Sequence, residues 1–255
     1  AVTETIRGLG KQFVIGATID DALDAAEKER KSGYRVSFDM LGEGARTRDD
    51  AARYFASYRQ AILQVGQQPQ GGELRTRHGI SVKLSALHPR YHWTQRATCV
   101  PEIAALLLEL CQLAKEQNIT LTVDAEESDR LEMSLDILSQ VSSHISLKDW
   151  NGLGLAIQAY DKRCFTLIDD VAEIARRDGR ILQVRLVKGA YWDGEIKRAQ
   201  MAGWPGYAVF TRKHHTDLSY LACAQKLLAR RDVLYPMFAT HNAATVAAIL
   251  DMAGG

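Results

Sequence analysis

Ile181-Leu-Gln-Val-Arg-Leu-Val-Lys188, followed by Gly189-Ala-Tyr-Trp192, is a Val- and Leu-rich strand that ends in cations. A run this apolar and this short reads as a parallel strand covered by helices. Arg185 and Lys188 stand three apart, so an ideal strand would aim them at opposite faces. Either the chain bends before Lys188, which Gly189 permits, or only one of them looks inward. Two cations beside Gly, Tyr and Trp suit a large, anionic, aromatic ligand. A structural ion-pair network is the alternative reading.

The same pattern repeats on both sides of this segment. Strands are expected at Tyr34–Met40, Ile80–Leu84, Ile119–Asp124, Gly154–Gln158 and Leu234–Thr240. Helices are expected near 3–15, 20–32, 47–64, 98–117, 128–141, 164–177, 193–201 and 211–230, with a last one from Asn242. Thr18 and Thr47 can cap the second and third of these, with aspartates in their first turns. Gly33 stops the second helix, and 67–72 is a polar loop.

Alternating strands and helices fit either a β/α barrel or an open doubly wound sheet. Polar residues close nearly every strand: Asp39, Lys83, Asp124, Gln158, Arg185 with Lys188, and Thr240 with His241. In a barrel those ends converge on one mouth. In an open sheet only the strands at the switch point need them. The barrel is therefore preferred.

Lys83 within an apolar strand must be paired or functional, because an unpaired buried ammonium is costly. An internal salt bridge with Asp124 is the plainer account. Glu126, Glu127 and Asp129 are read as stabilising the helix that follows them. Thr211-Arg-Lys213 and Thr240-His-Asn242 each open a helix, where free N–H groups and nearby cations suit a pyrophosphate. His241 is either a satisfied core histidine or a ligand contact. Adjacent His214 and His215 are read as surface residues.

Composition removes other classes. With 32 basic against 31 acidic residues, bulk charge gives no reason to expect nucleic-acid binding. No run of about 18 apolar residues suggests a membrane span, and the N-terminus reads as an amphipathic helix rather than a signal peptide. Cys99, Cys111, Cys164 and Cys223 form no CxxC pair and no zinc spacing, so no metal site is expected and the thiols are read as reduced and partly buried.

Six strings go further: Ser81-Val-Lys-Leu-Ser-Ala-Leu-His-Pro-Arg-Tyr91, Asp124-Ala-Glu-Glu-Ser-Asp-Arg-Leu-Glu132, Ile157-Gln-Ala-Tyr160, Arg185-Leu-Val-Lys-Gly-Ala-Tyr-Trp-Asp193, Thr211-Arg-Lys213 and Phe238-Ala-Thr-His-Asn242. Together, and in this order, they resemble the proline dehydrogenase domain of the bacterial bifunctional proline utilisation flavoenzymes. The resemblance runs from about Ile6 to Gly254.

It implies an α/β fold: a distorted (βα)8 TIM-type barrel behind an N-terminal helical arm, 1–33, with the barrel at 34–255. It implies FAD at the strand C-termini and oxidation of L-proline to Δ1-pyrroline-5-carboxylate, with electrons passed to a quinone. Arg185, Lys83, Asp124 and Tyr191 are the implied catalytic set, Lys83 facing the proline carboxylate and Arg185 the flavin. The implied cofactor contacts are Gln158, Arg185, Lys188, Gly189, Trp192, Thr211, Arg212, Lys213, Thr240, His241 and Asn242. A proline-like carboxylate inhibitor would share the substrate site.

The resemblance further implies a cytoplasmic protein, peripheral to the inner membrane, with an aldehyde dehydrogenase domain in the parent polypeptide. The family pattern continues with two more strands and a final helix whose arginine pair clamps the substrate carboxylate. This sequence ends at Gly255 before them, so the clamp falls on no residue here. Two alternatives stand beside this reading: a truncated domain that holds FAD without turnover, and a Schiff-base lyase with Lys83 or Lys188 as nucleophile.

Overall fold

The computed structural model describes residues 15, 16, 18–40, 44–68 and 71–254. The helix expected over 3–15 and the Leu41–Glu43 segment lie outside the described residues, Ile15 excepted. Six strands follow in order: β1 (Ser37–Asp39), β2 (Gly79–Val82), β3 (Thr120–Val123), β4 (Leu153–Gln158), β5 (Leu182–Val187) and β6 (Leu234–Phe238). All pair in parallel, each with its sequence neighbour. A doubly wound sheet would reverse its order at a switch point. Strictly sequential pairing is that of a β/α barrel, with β1 and β6 as the edges of the described sheet.

Between the strands run α1 (Ile19–Lys31), α2 (Arg48–Gln67), α3 (Arg96–Glu116), α4 (Leu131–Ser142), α5 (Cys164–Arg177), α6 (Trp192–Met201), α7 (Lys213–Leu228) and α8 (Ala243–Ala253). Capping boxes start the first two. Thr18 and Thr47 accept from the amides of Asp21 and Asp50, whose carboxylates accept in return. Gly33, at φ +89°, lets α1 end in two backbone bonds back to Arg30 and Glu29.

The register separates the two faces of the sheet. Phe38, Ile80, Val82, Leu121, Val123, Leu155, Val184 and Leu186 lie in rows that join the helices in one buried apolar cluster. The alternate row reads Asp39, Ser81, Thr122, Gly154, Gln183, Tyr235. The interior is thus lined by polar and small residues. Arg185 on β5 donates to the Ser81 hydroxyl on β2 at 3.0 Å. In a flat sheet two intervening strands would hold these backbones about 14 Å apart, so the sheet is curled.

Several boundaries differ from the sequence expectation, three of them at the start of an element that leads to or from the strand tips. β1 begins at Ser37, not Tyr34, because the Val36 amide donates to His78 Nδ1 instead of to a strand neighbour. The Arg35 side chain donates to the Thr76 carbonyl. α4 begins at Leu131 after a 3-10 turn over Ser128–Arg130, and α7 begins at Lys213, not Thr211.

By length and composition, an 18-residue stretch within Trp93–Glu116, of mean hydropathy 1.5, would also pass as a membrane span, contrary to the expectation that no such run exists. Its Ile103, Leu107, Leu110 and Cys111 are fully buried in the common core, as befits a core helix. All four cysteines are free and buried.

Candidate active site

Parallel strands in sequential order bring all their C-terminal ends to one side, and there the structure has a cavity of about 670 Å³. Every strand contributes to its wall. Asp39 comes from β1, Lys83 and Asp124 from just past β2 and β3, Gln158 from β4, Arg185 and Val187 from β5, and Thr240 and His241 from beyond β6.

On its wall a partly buried ion network crosses the interior. Lys83 Nζ lies 2.6 Å from an Asp39 oxygen and 2.9 Å from one of Asp124. The other Asp124 oxygen accepts from Arg185. Burial alone would lower the Lys83 pKa, but the two carboxylates more than reverse that and leave it raised. Lys83 also donates its backbone amide to the hydroxyl of Tyr58, which burial pushes up to about 12. The plainer sequence account, a Lys83–Asp124 pair, holds, with Asp39 as a second partner.

The wall also rests on backbone bonds. Gln158 donates to the Glu126 carbonyl at 2.7 Å and accepts from the Ala190 amide at 3.1 Å. One amide side chain thereby ties the loops after β3 and β5. Glu126 is not the helix-start stabiliser expected from the sequence. Its carboxylate is buried, accepting from the Ser85 amide and Arg130, and burial pushes its carboxyl above the usual range. Glu127 also pairs with Arg130, and Asp129 with Arg198.

The question of Arg185 and Lys188 resolves at Gly189. Its φ of +137° turns the chain after β5, and both cations line the cavity. A Cβ there would lie 2.5 Å from the Tyr160 ring. Gly189→Ala therefore combines a disfavoured backbone region with an overlap. It is expected to cost about 2 kcal/mol or more, and thermal unfolding measures it. A midpoint equal to that of the parent protein would disprove the fit.

Of the remaining candidates, Tyr191, Lys213, Thr240, His241 and Asn242 line the same cavity. His241 is exposed, so it is no core histidine. Asn242 caps α8 by accepting from the Thr245 amide. Trp192, Thr211 and Arg212 lie outside the cavity wall. Trp192 is 41% exposed and donates its ring N–H to the Phe210 carbonyl. Thr211 and Arg212 precede α7 because the helix starts two residues late.

Asp217 was missed by the sequence reading. It accepts from both Lys188 and Lys213, which hold its carboxyl below the usual range. Its signal was available in part, since it stands four residues after Lys213 on a helix. Among the described residues no group of three or more His, Cys, Asp or Glu is placed to hold a metal ion.

The comparisons with known proteins agree with this geometry. The proline dehydrogenase family model matches residues 22–255. The chain belongs to the proline dehydrogenase family. It is 52% identical over 253 residues to the bifunctional protein PutA of Escherichia coli, covering 99% of this chain and 19% of that protein.

Among solved structures of the family, proline utilization A from Bradyrhizobium japonicum is 55% identical over 94% of this chain and 24% of that one, with TM-score 0.88. The Bdellovibrio bacteriovorus counterpart, inactivated by N-propargylglycine, is 27% identical over 99% of this chain and 27% of that one, with TM-score 0.93. The chain thus spans about a fifth to a quarter of the length of these relatives.

Proposed function

We propose that this chain binds FAD in the strand-tip cavity and oxidises L-proline to Δ1-pyrroline-5-carboxylate. The observation that carries the reading is the convergence of all six strand tips on one cavity, lined by Lys83, Asp124 and Arg185. Family membership supplies the substrate class.

The residues present fit a flavin dinucleotide. Arg185, Lys188 and Lys213 place three cations on the wall, suited to pyrophosphate oxygens and an electron-rich ring. Gly189 lines the cavity, and the start of α8 beside His241 and Asn242 offers free amides. The volume is ordinary for a cofactor site. Gln158, Arg185, Lys188, Gly189, Lys213, Thr240, His241 and Asn242 would hold the group. Bound there, FAD supplies a two-electron acceptor.

The chain's own residues bind and orient. Lys83 attracts the proline carboxylate, Asp124 keeps Lys83 and Arg185 in place, and Tyr191 closes the pocket beside them. Oxidation removes a hydride from the carbon next to the ring nitrogen and a proton from that nitrogen, leaving the imine. A quinone as final acceptor, a cytoplasmic location at the inner membrane and an attached aldehyde dehydrogenase domain follow from the resemblance.

For Lys83 the Schiff-base alternative loses ground on chemistry. A nucleophilic lysine needs a lowered pKa, whereas Lys83 is held protonated between two carboxylates. The visible spectrum of the flavin-loaded, full-length polypeptide tests the proposal. Anaerobic proline is expected to bleach it. A spectrum unmoved by proline and by a proline-like carboxylate inhibitor would overturn the reading.

A further inference from the structure

We infer that Ser81 is a positioning residue that fixes the plane of the Arg185 guanidinium for the flavin-dependent reaction. The inference rests on the function proposed above. Ser81 is 1% exposed and is not part of the cavity wall. Its hydroxyl accepts from Arg185 Nη1 at 3.0 Å, while Asp124 takes Nη2.

A guanidinium only donates, and its fork is rigid. Held at Nη2 alone, it could turn about that contact. Two anchors, one on β2 and one past β3, fix both its position and its plane. Because an Arg donor fills one Ser81 lone pair, the hydroxyl proton is free to point elsewhere. Ser37 Oγ lies 3.3 Å away on the neighbouring strand.

The choice of a neutral anchor matters. Asp39 and Asp124 already balance Lys83 and Arg185, two charges against two. A carboxylate at 81 would make the cluster net negative and repel an anionic substrate. A serine holds the cation without adding charge. Placement on β2 follows from strand parity, since Ser81 is two residues before Lys83 and shares its inward row.

The test is a double-mutant cycle in the full-length, flavin-loaded polypeptide, using Ser81→Ala, Arg185→Met and both together. Turnover with proline, flavin affinity and the flavin visible spectrum are read for each. Ser81→Ala is expected to lower kcat about tenfold, the worth of one hydrogen bond to a charged group. The proline KM should stay within about twofold, because Ser81 is not part of the cavity wall.

In the Arg185→Met background the same change should cost less than about twofold, since a residue acting through Arg185 has nothing left to position. Additive losses, or a Ser81→Ala protein equal to the parent in kcat and spectrum, would overturn the inference. Flavin affinity and spectrum keep the cycle readable if proline is not the substrate. Failure of the proline reading is then distinct from failure of the Ser81–Arg185 coupling.

Discussion

Arg185→Met is expected to lower kcat/KM for proline about a hundredfold or more, the scale of losing a preorganised charge at a reacting centre. Arg185 is well placed for so large an effect. It rises from β5, lines the cavity and is held by Asp124 and Ser81. Methionine keeps the stem and its packing but removes five donors and the charge. Asp124 is then left with Lys83 as its cation, and the wall loses one of its three cofactor-facing charges. Flavin content should fall together with the rate. Arg185→Lys separates charge from fork: it restores the charge but not the second anchor, so an intermediate rate is expected. Steady-state kinetics and the ratio of flavin to protein absorbance measure all three proteins. An Arg185→Met rate above a tenth of the parent's would remove Arg185 from its assigned place.

Much of this arrangement was legible in the sequence because parallel strands in series impose it. Polar residues at six successive strand tips are what a shared mouth requires, and the structure gathers Lys83, Asp124, Gln158 and Arg185 around one cavity. The capping threonines were legible for a local reason, since Thr18 and Asp21, or Thr47 and Asp50, meet within one turn. What stayed hidden depends on contacts between distant segments. Ser81 stands in a string quoted for the resemblance, yet its partner is 104 residues away across the interior. Glu126 looked like a helix-start charge, but its partner amide belongs to Ser85, at the tip of another strand.

A small boundary shift also changed what reaches the cavity. Thr211-Arg-Lys213 was expected to open a helix; Arg212 caps α7, which begins with Lys213, and of the three only Lys213 lines the cavity. The strands read as rich in Val, Ile and Leu because the outward rows dominate their composition. Their register shows a polar inner row beneath. A polar lumen makes the ion network possible: Lys83 and Asp124 are buried, yet each finds an opposite charge.

Lys83→Ala carries two effects that come apart in one set of measurements. The first is on stability. Lys83 and Asp124 are buried, while Asp39 is 46% exposed, so the network is only partly wet. Removing the lysine leaves Asp39 without its cation and Asp124 with Arg185 alone, at a cost of about 3 kcal/mol, the lower end for breaking a buried pair because water reaches Asp39. For a domain of this size that is a fall of roughly 10 °C in the unfolding midpoint.

The sign with pH is fixed by the direction of the shift. Lys83 is raised in the folded state, so its contribution is complete below the ordinary lysine range and is lost as pH climbs through the raised folded value. Across neutral pH the deficit should therefore be flat. The second effect is on substrate. With Lys83 gone, Asp124 faces the incoming carboxylate with one cation fewer, and the proline KM should rise about tenfold or more. Adding Asp39→Asn removes one of the stranded carboxylates and should recover part of the midpoint without recovering KM, because the cation is still missing. A normal KM in Lys83→Ala would refute the carboxylate role of Lys83. A KM restored by Asp39→Asn would show that repulsion alone, and not the lost contact, had weakened binding.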